Sequence, residues 1–246
     1  MPSASTSLLR NESGTTISGE ENNRMAADLD DDKVEALIFD CDGTLVNSME
    51  YFWQGWEVLC KKYELNFPKT RFYALAGTPI REIVHIVLTE TDPAIVEKLV
   101  SVEKGDDETK RRELFVDRFL AEKLEAIEEL RSRGLFPGEI TCVTKIAKQA
   151  KERKMRIGVA SSGEKNHVLA DLAHHNLTDL FETIVTREDV VHGKPAPDLF
   201  LEAANRLNVD PKRCRGYEDA DLGLESLRRA EFVQAVDVRL MKGYPN

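Results

Sequence analysis

The sequence predicts an α/β fold, a doubly wound parallel sheet with a Rossmann-like core, interrupted after its first strand by an inserted all-helical cap domain. Three observations carry this. A short apolar run, VEALIFD (34–40), stands near the start and has the length and composition of a buried strand. From about residue 135 onward, strand-like and helix-like stretches alternate, which implies right-handed crossovers into a parallel sheet. Between these regions, from about 48 to 134, only helical periodicity is visible.

The elements follow in order. Residues 1–32 hold two Arg against seven Asp and Glu and almost nothing apolar. Such a segment cannot offset its ordering entropy, so a disordered tail is expected, and deleting residues 1–30 is expected to leave activity within about twofold. The strand at 34–40 ends in CDGT, a polar turn where function tends to sit. In the insert, Phe52, Trp56 and Leu59 lie at helical spacing, and Cys60 continues the stripe. REIVHIVL and PAIVEKLV read the same way, and a long amphipathic stretch is closed by Gly134. Beyond it, MRIGVAS (155–161), ETIVT (182–186), RCRGYE (213–218) and VQAVDV (233–238) read as strands, with helices between them. The expected partition is a tail (1–32), a sheet domain (33–47 and 135–246) and the helical cap (48–134).

Bulk properties narrow the class. With 246 residues, 41% of them hydrophobic, the chain is long enough to bury a substantial core. A net charge of −10 argues against a nucleic-acid partner, which calls for a basic face. Cys41, Cys60, Cys142 and Cys214 show no metal-ligand spacing and read as reduced thiols. No apolar run is long enough to span a bilayer. The expectation is a cytoplasmic protein with no membrane, nucleic-acid or obligate protein partner. The acid-free start, MPSASTSLLR, leaves organelle targeting open.

Ligands of an open parallel sheet bind outside the carboxyl ends of its strands. Asp40 and Asp42 follow the first strand, and Ser161, Ser162 and Gly163 the second. Lys194, in GKPAPD, comes after the third, and Glu218, Asp219 and Asp221 end the fourth. Converging carboxylates repel and call for a cation; oxygen ligands favour a hard ion, and Mg²⁺ is the natural choice. One carboxylate can attack phosphorus while the metal and a lysine neutralise charge on the transferring group. A second acid two residues along, on the same side of an extended backbone, suits proton transfer.

FDCDGTLVNS, the VASS strand end, GKPAPDLF and YEDADLGL resemble, in order, the four signature motifs of the haloacid dehalogenase superfamily. The resemblance covers about 34–240. It is strongest to the β-phosphoglucomutase-like branch, and within that to small sugar-phosphate phosphatases of the fructose-1-phosphate kind. It implies a Mg²⁺-dependent phosphatase of a small phosphorylated metabolite, with Asp40 as nucleophile and Asp42 as general acid/base. Mg²⁺ would be held by Asp40, the Asp42 backbone carbonyl and Asp219, with Glu218 in support. Ser161, which fits the motif better than Ser162, and Lys194 would hold phosphoryl oxygens. The helical insert would be a cap that closes over the site. Asp221 either caps the next helix or meets the metal, and Arg81 either pairs with substrate or is a solvated helix residue.

Two departures stand out. Relatives with mutase activity place a His where this chain has Phe52, which lowers the phosphomutase alternative. Arg215 sits in a strand expected to be apolar, and Glu231 stands where a helix-ending Gly is usual. The altered strand keeps open a third reading, a feeble relative that binds a phospho-ligand or partner protein.

Overall fold

The computed structural model describes residues 18–75 and 78–245. Before the insert come α1 (Gly19–Ala27), β1 (Ala36–Phe39) and β2 (Val46–Asn47). The insert carries α2 (Ser48–Tyr63), α3 (Lys69–Ala74), α4 (Ile80–Glu90), α5 (Pro93–Ser101) and α6 (Glu108–Ser132). The chain returns through β3 (Gly138–Glu139), α7 (Thr141–Glu152), β4 (Arg156–Ala160), α8 (Lys165–His174) and β5 (Thr183–Val185). It ends with α9 (Asp198–Arg206), β6 (Cys214–Glu218), α10 (Asp221–Arg229) and β7 (Gln234–Asp237).

Five of these strands form one parallel sheet in the order β5-β4-β1-β6-β7. The chain leaves β1 toward β4 and β5 on one side and returns to β6 and β7 on the other, so the strand order reverses beside β1. That is where an open sheet leaves a crevice. Along β1, Leu37 and Phe39 enter one apolar cluster and Ala36 and Ile38 the other, on the alternation of a strand. The first cluster is completed by α7 and α8 through Val143, Ala147 and Leu172, the second by α9 and α10 through Leu199, Ala203 and Leu227. Both faces are therefore covered, as a parallel sheet needs. Glu231, just past α10, has φ 57°, the left-handed position that a glycine would fill without strain.

Ser48–Pro137 is a separate compact unit of helices. It runs three residues past the expected end at 134, because Leu135 N–H bonds back to Leu130 O and the Phe136 ring lies against the Arg131 guanidinium. Trp56 is buried at its centre, with ring centroids 4.9 Å from Phe67 and 5.2 Å from Phe119, so this tryptophan is core. Lys123 on α6 is also buried, and its ammonium lies 5.3 Å from the Phe52 ring centroid with no ion pair among the described residues. Burial alone holds its pKa down to about 8. A folded-state pKa below the unfolded one means that the unfolded chain binds more protons between the two, so stability rises with pH there. Lys123→Met is expected to raise stability at pH 7 by on the order of 2–3 kcal/mol. The gain should shrink as pH rises from 8 toward 10.5 in a thermal-melt series.

The N-terminal segment corrects the expected tail. Residues 1–17 lie outside the described residues, but 18–32 are built into the sheet unit. Ser18 Oγ caps α1 by accepting from Glu21 N–H at 3.1 Å, and Glu20 and Glu21 sit in the first turn, where the helix dipole favours acids. Ala26 is buried in the core. Asn22 is fully buried, its amide donating to Asp237 O (2.9 Å) and its Oδ1 accepting from Asp237 N–H (3.2 Å), so it stands in for a neighbouring strand at the sheet edge. Arg215, fully buried on β6, takes its partners here: Asp28 O at 2.7 Å and the Asp31 carboxylate at 3.6 Å, with Gln234 of β7 at 2.5 Å. Burial pushes Asp31 up, but Lys33 N–H, Gln234 and Arg215 together draw it below the usual carboxylate range. Composition counted few apolar side chains, whereas this segment, besides burying Ala26 and Leu29, docks by hydrogen bonds and by an ion pair to the buried Arg215.

Candidate active site

At the carboxyl edge of β1 the ladder continues one residue: Asp40 N–H donates to Tyr217 O at 3.0 Å. The chain then turns tightly, with Cys41 O accepting from the N–H groups of Thr44, Leu45 and Val46. Cys41 itself points into the core, between the two acids. Gly43 makes the turn possible. Its φ is +81°, and a Cβ there would meet Asp219 Oδ2 at 2.1 Å, so the backbone comes close against that carboxylate. Thr44 Oγ1 donates to Asp219 Oδ1 at 3.2 Å, and Tyr244 O–H donates to Gly43 O at 2.7 Å.

Lys194 arrives from the loop between β5 and α9. Its ammonium donates to Asp40 Oδ1 at 2.5 Å and to Glu218 Oε2 at 2.7 Å, and all three side chains are almost fully buried. Glu218 Oε1 accepts from the N–H groups of Asp219 (3.1 Å) and Ala220 (2.9 Å). Ser161, buried at the end of β4, accepts from Gly163 N–H at 3.0 Å through its Oγ, whereas Ser162 is exposed. A Cβ on Gly163 would lie 2.9 Å from Asp42 Oδ2 and 3.2 Å from Ser161 Oγ, so these two groups face the same glycine. Four strand ends thus bring Asp40, Asp42, Ser161, Lys194, Glu218 and Asp219 to one edge.

The electrostatics are those of a buried, acid-rich site. Burial raises Asp40 well above the usual carboxylate range, and the neighbouring Glu218, Asp219 and Asp42 push the same way against Lys194. Burial and then Glu218 raise Asp219 to about 8. Burial pulls Lys194 down, but Asp40 and Glu218 more than reverse this and lift it above the ordinary lysine range. Asp40, Glu218 and Asp219 each offer a carboxylate oxygen, all within 4.8 Å of one another. An oxygen-only donor set of this charge, with a backbone turn held close by Gly43, fits a hard divalent cation.

Two candidates lie elsewhere. Asp221 begins α10 and pairs with Arg239 at 2.8 Å; it is outside the carboxylate group. Arg81 belongs to the helical unit, and its guanidinium is engaged by Glu113 at 2.9 Å and by Asp117. Two acids already neutralise it, which is the solvated-helix alternative. Of the loop before it, Ala76 and Gly77 lie outside the described residues. Sequence reasoning missed Thr44 and Tyr244. Thr44 had a signal in its place directly after the DxDG turn; Tyr244, remote in sequence, had none.

A family model described as haloacid dehalogenase-like hydrolase matches residues 37–236. The chain is 30% identical to fructose-1-phosphate phosphatase YqaB of Escherichia coli over 85% of this chain and 99% of that one. It is 28% identical to β-phosphoglucomutase of Bacillus subtilis over 80% of each. The crystal structure of β-phosphoglucomutase from Clostridium difficile shares the fold, with TM-score 0.55 and 24% identity over 82% of this chain and 83% of that one. No helix among the described residues is long and apolar enough to cross a membrane.

Proposed function

We propose that this chain, which belongs to the haloacid dehalogenase-like hydrolases, acts on a small phosphorylated metabolite, a sugar phosphate first, with Mg²⁺ held at the sheet edge. Family and relatives make it an enzyme, a phosphoric monoester hydrolase. The observation that carries the finer reading is the Lys194 ammonium bridging Asp40 and Glu218 at 2.5 and 2.7 Å beside Asp219.

On this reading Asp40 and Asp219 would hold the ion with the Asp42 backbone carbonyl, and Glu218 would support them. When bound, the ion supplies positive charge opposite the charge that develops on the transferring phosphoryl group. An Asp40 oxygen attacks phosphorus, and the bond from phosphorus to the substrate's ester oxygen breaks. Asp42 gives that oxygen its proton, leaving an alcohol and an aspartyl-phosphate on Asp40. A water then loses a proton to Asp42 and attacks the same phosphorus; the bond to Asp40 breaks and inorganic phosphate leaves. Ser161 Oγ–H and the Lys194 ammonium hold phosphoryl oxygens through both steps. The four free cysteines suit a reducing compartment, and we place the reaction in the cytoplasm.

The test is a panel of phosphorylated metabolites with Mg²⁺, with and without EDTA. Phosphate release from one or more sugar monophosphates is expected, falling on the order of a hundredfold or more with EDTA and returning with excess Mg²⁺. No release from any member would sink the reading. Similarity to a β-phosphoglucomutase supports a second reading, a phosphomutase. Phe52, which has no proton to exchange, weighs against it, and a glucose-phosphate isomer assay separates the two.

A further inference from the structure

We propose that Arg215 is a positioning residue for the metal-side carboxylates, and that the N-terminal segment holds the carboxyl end of β6 in place through it. The inference rests on the reading of Glu218 and Asp219 as metal groups. Arg215 is fully buried on β6, three residues before Glu218 and four before Asp219. In an extended strand, residues that close move together, so the site inherits whatever fixes the arginine.

Two of its three partners lie in the N-terminal segment, Asp28 O and the Asp31 carboxylate. The third, Gln234 Oε1, is tied to the same segment, because Gln234 Nε2 donates to Asp31 Oδ2 at 2.7 Å. A second tie lies one residue before Glu218: Tyr217 O–H, also buried, donates to Ala26 O at 2.8 Å. Tyr217 is in turn the residue whose carbonyl accepts from Asp40 N–H. A buried guanidinium without its carboxylate and carbonyl partners is unfavourable, so the strand cannot shift while this network stands. Among the described residues, no hydrogen bond or ion pair links Ser161 or its strand β4 to this segment, so the two halves of the site should respond differently.

The experiment compares Arg215→Met, Asp31→Ala and the double variant, each in the full chain, by titrating MgCl₂ alone in a calorimeter. The Mg²⁺ Kd is expected to rise about fivefold or more in each single variant and no further in the double, because both changes break one link. At saturating Mg²⁺, kcat and KM should stay within about twofold of the unmodified chain. Amide exchange over 216–220 should quicken about tenfold in both singles, with 156–160 unchanged. A Mg²⁺ Kd within about 1.5-fold of the unmodified chain in both folded singles overturns the proposal, as do independent effects that multiply in the double. If a single variant does not fold, Tyr217→Phe carries the same reading with an expected twofold or so change in Kd, and no change overturns it. If the unmodified chain binds no Mg²⁺, the proposed function fails instead; the exchange arm still decides, and unchanged exchange over 216–220 refutes the positioning link.

Discussion

Replacing Asp40 with asparagine is expected to abolish turnover, on the order of a thousandfold or more in kcat, while leaving the fold intact. The amide is isosteric and keeps an oxygen for the Lys194 ammonium, which now sits 2.5 Å from Asp40 Oδ1. It is too poor a nucleophile to open a phosphoester. Stability should hold or rise, because burial and Glu218 both disfavour the Asp40 charge. A thermal melt beside steady-state rates checks both halves. Turnover close to that of the unmodified chain would remove Asp40 from the nucleophile's role.

Deleting residues 1–32 is expected to destabilise the protein by about 3–5 kcal/mol, mainly by leaving a buried charge without its partners. For a chain of this size that corresponds to a fall in Tm of roughly 6–20 °C. The deletion removes Asp28 and Asp31 from Arg215, Ala26 O from Tyr217, and Asn22 from both backbone groups of Asp237. It also uncovers part of the core, where Ala26 and Leu29 are buried. Combined with Arg215→Met, the same deletion should cost less, since no guanidinium is stranded. A melt that does not move would show that the segment is dispensable, as its composition suggests.

The contrast between these variants shows what was legible in the sequence. Asp40, Asp42, Ser161, Lys194, Glu218 and Asp219 each sit just after a strand or in its following loop, and the strands announce themselves by short apolar runs. Strand-end logic alone gathers them at one edge, and the sheet order places them beside β1. What was not legible depends on side chains that meet across the fold. Arg215 looked like a flaw in β6 because two of its partners, Asp28 and Asp31, lie more than 180 residues earlier. Arg81 left two readings open because Glu113 and Asp117, which engage it, lie more than 30 residues away on another helix. The N-terminal helix is short of apolar residues, so hydropathy could not find a segment that docks through asparagine amides and carbonyl oxygens.

Cys41 places a sulfur atom between the two acids of the first motif, yet the chemistry there is insulated from redox state. The thiol is fully buried and lifted well above its ordinary range, first by burial and then by Asp42 and Asp40. Peroxide and alkylating agents react with thiolates they can reach, and this group is neither ionised nor accessible. Of the four cysteines only Cys142 is partly exposed, which makes it the natural attachment point for a probe.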